Sequence, residues 1–536
     1  MERRGTERLD LDFLSLPPYS AEDRARSDSL SSTGSCSRFV LRQRVAQLMT
    51  CMEDVSSDDD LHEELCRSID QAFLICGKKI PSRMQDFRLH VVTWNVGTAS
   101  PPRDLSSLFL LDSSVSNIDM YVIGLQEVNS KIVNFLSDLA FDDPWSLFLM
   151  DILAPLGYIK LSSIRMQGLL LLTFVKHKHI PFVQDIRTNY IRTGLYGYWG
   201  NKGGVTVRMS VYGHMLCFMN CHLPAHMENT NQRLDDFERM LEAQQFDGES
   251  IGGILDHDMV FWFGDLNFRI ADFGIHFIRE VVNGNRYSLL WEKDQLNIAK
   301  KKEQFLQGFM EGPLKFKPTY KFDLNSDVYD TSGKKRKPAW TDRILWKLKE
   351  ISESEQEESV GSEFEHILKA HLEKYTSHMS YGISDHKPVT GTFTLQMRPL
   401  ILEPPVTLRA EGEWNADHDS LISYSVSKDF PSSTWDWIGL YRVGFRHTND
   451  YVTYAWVKDD EISFSKDCNQ VYISADEIPL DGGEFLLCYF CHNLQCLAGI
   501  SDPFQIQPGR TLPGKDGSQE STDDSTKSDM FMGSGF

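Results

Sequence analysis

Several stretches of this chain are dominated by apolar residues and then stop on a polar side chain. Met259 to Phe263 is a short, bulky apolar run that suits a buried strand. Gly264 breaks it, and Asp265 and Asn267 follow with one residue between them. If the extended pattern carries past the glycine, residues two apart face the same way, and a carboxylate and a carboxamide share one face. Leu89 to Val96 is a β-branched run that carries Asn95 near its end, with Gly97 as punctuation. Asp119 to Glu127 is a further strand, and Glu127 stands where the apolar run stops. Met215 to His222 closes on a histidine, followed by His226 and Arg233 on a helix expected beyond Pro224. Val389 to Leu395 is preceded by Asp385 and His386. Singly, such residues read as the start of a polar loop, and Gly-Asp-Leu-Asn as a turn. Repeated at one strand end after another, they predict a constellation.

The same patterning divides the chain. Residues 1–84 carry a serine-rich stretch, Ser27 to Ser37, and an acidic serine cluster, Glu53 to Asp60, typical of a solvated low-complexity extension without a fold. Within them Phe39 to Met52 and Leu61 to Ile75 place apolar residues at helical spacing, as short docking helices or a weakly ordered tail would. Residues 85–397 hold the strands above, interrupted at 351–366 by a Ser-, Glu- and Gln-rich stretch that reads as a surface insertion. After Pro404-Pro405 the runs become short and alternating: Leu421 to Val426, Trp435 to Tyr441, Tyr451 to Val457, Gln470 to Ile473 and Glu484 to Phe490. This texture over 398–508 predicts a small antiparallel β-sandwich, without a catalytic cluster. Residues 509–536 read as a disordered tail.

Composition adds mainly exclusions. The 536 residues are 41% hydrophobic and 24% charged, ordinary for two or three globular domains. A net charge of -21 argues against binding a polyanion by bulk charge, so an anionic substrate must be met by a local basic cluster. The longest strongly apolar run, Gly168 to Val175, is too short to span a bilayer. The amino terminus has no apolar signal core and Gly-Ser-Gly-Phe536 is no prenylation box, and no transmembrane segment is expected. Ten unevenly placed cysteines suit a reduced intracellular protein, and Cys488 and Cys491 read as core thiols.

Two further features bear on chemistry. Gly197 to Gly204 places Lys202 among glycines that let backbone N–H groups approach an anion, although tight turns look the same. Between 315 and 343 lie eight Lys or Arg residues against four acids, a local basic island. Four of them, Lys334 to Lys337, are consecutive, and the segment reads as a hairpin-like excursion that recruits a phosphorylated ligand. Asn95 and Glu127 are hard oxygen donors of the kind that suits Mg²⁺ rather than zinc. Adjacent Asp385 and His386 would point apart on a strand, and the histidine matters if a distant acid such as Asp342 orients its ring.

With those residues assembled, the chain resembles the inositol polyphosphate 5-phosphatases over about 87 to 397. Two signature motifs carry the resemblance, Trp262-Phe-Gly-Asp-Leu-Asn-Phe-Arg269 and Pro338-Ala-Trp-Thr-Asp-Arg-Ile-Leu345. Many members carry cysteine where Thr341 stands, a similarly shaped residue. The carboxy-terminal part, with Trp435-Asp-Trp-Ile-Gly-Leu-Tyr441 and Asp502-Pro-Phe504, resembles a SKICH domain. The resemblance implies an α/β fold, the four-layer endonuclease/exonuclease/phosphatase sandwich, followed by a small all-β immunoglobulin-like sandwich.

It also implies roles. Glu127 would ligate Mg²⁺, with Asn95 on the metal or the phosphate and Asp385 further out. Asp265 would orient and deprotonate a water, Asn267 and His222 would donate to the phosphoryl oxygens, and His386, oriented by Asp342, would hold the scissile phosphate. Tyr320, Lys321, Lys334 and Arg336 would meet the 4-phosphate, with Lys202 and Arg343 as further substrate contacts. The implied substrates are phosphoinositide lipids at a membrane surface, PtdIns(4,5)P₂ and PtdIns(3,4,5)P₃, with no nucleic acid. The implied setting is cytoplasmic and peripheral, at the endoplasmic reticulum and plasma membrane ruffles, with protein partners through the SKICH domain and a damping effect on insulin-type signalling and actin remodelling. A nuclease of the same fold would need an extended basic groove, which one compact island does not supply. A silent scaffold would need a defect at one of these positions.

Overall fold

Strand parity decides what the first part of this chain can bury and what it can present. The structure, a computed structural model, describes residues 84–111, 117–128, 143–194, 199–246, 252–349, 368–428, 430–457 and 469–509. The expected amino-terminal helices, the 351–366 insertion and the carboxy-terminal tail beyond 509 lie outside these residues.

The described residues form two six-stranded mixed sheets. The strands are β1 (Gln85–Asn95), β2 (Met120–Gln126), β3 (Tyr158–Met166), β4 (Leu169–Lys176), β5 (Val183–Gly194) and β6 (Trp199–Val211). They continue with β7 (His214–His222), β8 (Met259–Asp265), β9 (Met310–Glu311), β10 (Asp342–Leu348), β11 (Leu368–Ser377) and β12 (Val389–Met397). One sheet runs β11-β12-β1-β2-β4-β3 and the other β5-β6-β7-β8-β10-β9. Within them β1 lies parallel to β2 and β7 parallel to β8.

The sheets pack face to face. Val91, Val122, Phe218, Phe261, Phe263 and Ile344 meet between them. The alternate residues of the same strands face outward. Val92, Trp94, Ile123 and Leu172 pack under helix α1 (Pro144–Leu153), which starts where Asp143 accepts from the N–H groups of Trp145 and Ser146. Met219, Cys221, Val260, Trp262 and Leu345 pack under α2 (Thr230–Ala243) and α3 (Gln295–Lys302), with Phe237 stacked on Trp262. Helix, sheet, sheet and helix make four layers.

Register then brings the polar strand ends together. Asn95 pairs with Gln126 across β1 and β2, His222 with Asp265 across β7 and β8, and Asp342 with Asp265 across β10 and β8. Each of Asn95, His222, Asp265 and Asp342 has the parity of the inter-sheet face, so the site caps one end of the central core. Gly264 makes the join possible. Its φ is +140°, and a Cβ there would lie 2.0 Å from the carbonyl oxygen of Cys221.

The carboxy-terminal part has strands β13 (Val406–Glu411), β14 (Ser420–Val426), β15 (Trp437–Arg442) and β16 (Tyr451–Trp456). After these come β17 (Asn469–Ile473), β18 (Gly483–Cys491), β19 (Cys496–Ile500) and β20 (Phe504–Ile506). Sheet β13-β14-β17 faces sheet β16-β15-β18-β19, and β20 pairs with β18. Cys488 and Cys491 are buried free thiols of its core. This sandwich leans on the first part of the chain through Lys160 N–H to Arg446 O (2.9 Å) and Ile186 N–H to Leu494 O (3.2 Å).

Candidate active site

Asp265 ends β8 at 1% exposure and is the hub of the site. Its Oδ1 accepts from the backbone N–H of Asn267 at 3.2 Å, and its Oδ2 accepts from Asn95 Nδ2 at 3.0 Å. His222 Nε2 lies 3.3 Å from the same oxygen and His386 Nε2 lies 3.9 Å from it. Burial alone would raise the pKa of this carboxyl. The His386 charge, the His222 hydrogen bond and charge, and Lys202 overcome that and hold it well below the carboxylate range. Asp265 is an anion.

The expected way in which Asp265 and Asn267 share a face is not the one found. The strand stops at Asp265, and Asn267 sits in the left-handed region at φ +58°. A turn closed by the Asp265 carboxylate sets the carboxamide, rather than strand alternation. Asn267 Nδ2 donates to Leu223 O at 3.0 Å.

Asn95 bridges two acids. Its Nδ2 also donates to Glu127 Oε1 at 3.0 Å, while its Oδ1 accepts from Gly97 N–H at 3.1 Å. A backbone N–H cannot accept, so the amide oxygen faces away from the carboxylates. In this arrangement Asn95 holds Glu127 and Asp265 together through its nitrogen. Glu127 follows β2 at φ +54° with its side chain 47% exposed, an anionic oxygen donor open at the mouth.

His222 Nε2 is also hydrogen-bonded to Lys202 Nζ and lies 3.8 Å from Glu127 Oε1. One nitrogen cannot both accept from Lys202 and donate to Asp265. The two residues therefore form a hydrogen-bonded unit that faces Asp265. Burial, and then Lys202, lower the pKa of His222 against the pull of Asp265 and Glu127. Burial brings Lys202 down to about 8, with Asp265 and Glu127 opposing.

His386 is fixed from behind. Its Nδ1 lies 3.0 Å from Asp342 Oδ2, and Asp342 also accepts from Thr319 Oγ1 (2.6 Å) and Thr341 Oγ1 (2.8 Å). Burial disfavours the charged ring, but Asp342 first, then Asp265 and Asp385, raise its pKa to about 9. The two threonine hydroxyls were not singled out from sequence, and Thr341 does more than fill the space of a cysteine. Tyr320 packs its ring 4.5 Å from that of His386, and its backbone meets both His386 and Ala339. Lys321 is ion-paired with Asp385, which draws that acid toward the basic island. Lys334 is exposed and Arg336 half-buried, on a loop whose N–H groups at Ser332 and Arg336 are held by Asp330.

Arg343 is a second correction. It is 0% exposed, with Nε and Nη2 on Glu311 (2.6 and 2.7 Å) and Nη1 on Asp294 (3.0 Å), the residue that also caps α3. Neighbours on a strand point apart, so with Asp342 facing the site Arg343 faces the outer layer. Arg343→Met should leave two buried acids without their cation and cost roughly 3–5 kcal/mol of stability, with KM unchanged in the folded fraction. Denaturant titration alongside steady-state kinetics checks this; a raised KM at unchanged stability would return Arg343 to the substrate.

The donor set fits a hard divalent cation. Carboxylate oxygens of Glu127 and Asp265 converge around Asn95, with the Glu127 side open. Asp265, Asp342 and His386 also place ligand atoms within 4.8 Å of one another, but with its pKa raised to about 9 the His386 ring is cationic near neutral pH, with no lone pair free on either nitrogen, which suits it to donate rather than to ligate. No helix among the described residues is long and apolar enough to cross a membrane.

Comparison with known proteins follows the same division. Residues 92–392 match the family model described as Endonuclease/Exonuclease/phosphatase family 2, and residues 406–506 match the SKICH domain. The chain is 54% identical to inositol polyphosphate 5-phosphatase K of Mus musculus, over 80% of this chain and 91% of that protein. It is 51% identical to phosphatidylinositol 4,5-bisphosphate 5-phosphatase A of Mus musculus over 78% of this chain, but spans 42% of that longer protein. Among solved structures it is similar to the inositol polyphosphate 5-phosphatase domain of a synaptojanin in complex with inositol (1,4)-bisphosphate and calcium ion. That match has 27% identity and a TM-score of 0.50, covering 63% of this chain and 92% of that one.

Proposed function

The chain belongs to the inositol polyphosphate 5-phosphatase family, and from that premise we propose that it removes the 5-phosphate of PtdIns(4,5)P₂ and PtdIns(3,4,5)P₃ by in-line attack of water, without a phosphoenzyme. One observation carries the reading. A single buried carboxylate, Asp265, is held between His386 on one side and the Lys202–His222 unit on the other, with the open Glu127 alongside. Residues 85–397 are taken as the catalytic unit and 398–508 as the SKICH unit.

Mg²⁺ held by Glu127 would, when bound, neutralise charge on the transferred group. The chain's own residues do the rest. Asp265, already fixed by Asn95 and by the Asn267 N–H, orients the attacking water. A carboxylate held this far below its usual range is a weak base, so it takes the proton only as the new P–O bond makes the water acidic. His386, cationic below about 9, spends Nδ1–H on Asp342 and turns Nε2–H toward a phosphoryl oxygen. The Lys202–His222 unit and Asn267 supply further donors. Tyr320, Lys321, Lys334 and Arg336 would meet the 4-phosphate; support comes from the Tyr320 contact with His386, which ties the start of the basic island to the site. The island also favours an anionic leaflet although the whole chain carries -21.

The test is phosphate release from short-chain PtdIns(4,5)P₂ and PtdIns(3,4,5)P₃ with Mg²⁺ and with a chelator, beside an abasic-site DNA duplex. Release from the lipids that stops on chelation, with the duplex intact, is expected. Incision of the duplex with idle lipids would favour a nuclease, and inertness on everything a scaffold.

A further inference from the structure

The last residue of the first signature motif, Arg269, reaches back onto the motif's own asparagine. At 8% exposure, its Nε donates to Asn267 O at 3.1 Å and its Nη2 donates to Asn267 Oδ1. Its guanidinium lies over the Tyr320 ring, 4.4 Å from the centroid, and that ring packs against His386. Its backbone N–H donates to Gln295 Oε1 at 2.9 Å, an oxygen that also accepts from Arg233 at 2.7 Å. The side chain is thus anchored at its base and forked at its tip.

The fork has a chemical consequence. A guanidinium has donors only, so the oxygen of the Asn267 carboxamide must face Arg269. Leu223 O can only accept, so the nitrogen must face that carbonyl. Both neighbours demand one amide orientation, and the opposite one would set N–H against N–H and oxygen against oxygen. One Nδ2 hydrogen is spent on Leu223, and the other remains for a ligand oxygen. Without Arg269 the carboxamide would keep only the Leu223 bond, on a residue already in the left-handed region.

We propose that Arg269 is a positioning residue for phosphoryl transfer, fixing the Asn267 carboxamide with its N–H toward the transferred group. This rests on the donor role proposed above for Asn267. Arg269 makes its contribution through Asn267 and need not touch the substrate.

A double-mutant cycle in the full chain on short-chain PtdIns(4,5)P₂ tests it, using Asn267→Ala, Arg269→Met and the pair, with kcat, KM and thermal midpoint measured for each. Arg269→Met should lower kcat roughly 10–100-fold with KM little changed, the usual effect of losing a residue that orients a reacting group. The double variant should be no slower than Asn267→Ala alone. Arg269→Lys should stay as slow as Arg269→Met, because one ammonium cannot span the carbonyl and the carboxamide. Losses that multiply in the double variant, or a fully active Arg269→Lys, overturn the proposal while leaving Asn267 in place. An Asn267→Ala enzyme with wild-type kcat removes the donor role itself, and the proposal with it.

Discussion

Asp265→Asn should reduce phosphate release from PtdIns(4,5)P₂ by roughly 10³–10⁴-fold, the upper range for loss of a positioned acid–base group. The substitution is nearly isosteric, and its amide oxygen can still accept from the Asn267 N–H that closes the turn. What disappears is the charge. Asp265 is the anion toward which His386, His222 and Lys202 are gathered, and in the proposed mechanism it is the acceptor for the water proton. A carboxamide can orient a water but cannot take its proton.

The same variant has a second signature. The pKa of Asp265 is depressed on folding, so it contributes stability that is present above its unfolded pKa and lost as pH falls through the folded one. Wild type should therefore lose stability in acid, below about 3.8, more steeply than Asp265→Asn. His386 should also titrate lower in the variant, since Asp265 helps to raise it. Lipid hydrolysis within about tenfold of wild type would place the catalytic carboxylate elsewhere.

How much of this could be read from residues alone follows strand parity. The apolar runs that end on Asn95, His222 and Asp265 were visible because each strand closes with its polar residue on the inter-sheet face. Pairing of those ends needed register, which no single run contains. Arg343 was misplaced although the signal was present, because a residue next to Asp342 on a strand must face the other layer. The hydrogen bonding of Asn95 was not legible for a different reason. Its amide orientation is set by Gly97, two residues on, whose N–H donates to the oxygen. Thr319 and Arg269 lay inside stretches already singled out, and only contacts across 23 residues in one case, and a fold-back of two in the other, reveal what they hold. The Gly264 approach to Cys221 is a backbone distance, which a glycine in the sequence permits but does not announce.

Asp342→Asn should cost roughly 10²–10³ in kcat at pH 7.5, on the scale of losing one preorganised donor, and most of that loss should be recoverable by lowering the pH. Asp342 is the largest of the influences that raise His386 to about 9, ahead of Asp265 and Asp385, and burial pulls the other way. With the carboxylate gone, burial and the two remaining acids set a lower value, and the ring is neutral over more of the working range. Wild type should hold its activity up to an alkaline limb near 9, and the variant's limb should move toward acid. Stability carries the same sign. A histidine raised on folding contributes stability that is complete below its unfolded pKa of about 6.5 and is lost as pH rises through about 9. Chelated wild-type protein should weaken across that window, and the variant should weaken less. Rate–pH profiles and denaturant titrations from pH 6 to 10 read both effects. If the variant loses rate equally at every pH, Asp342 acts only by packing under Thr319 and Thr341, and the charge on His386 has no part in holding the phosphate.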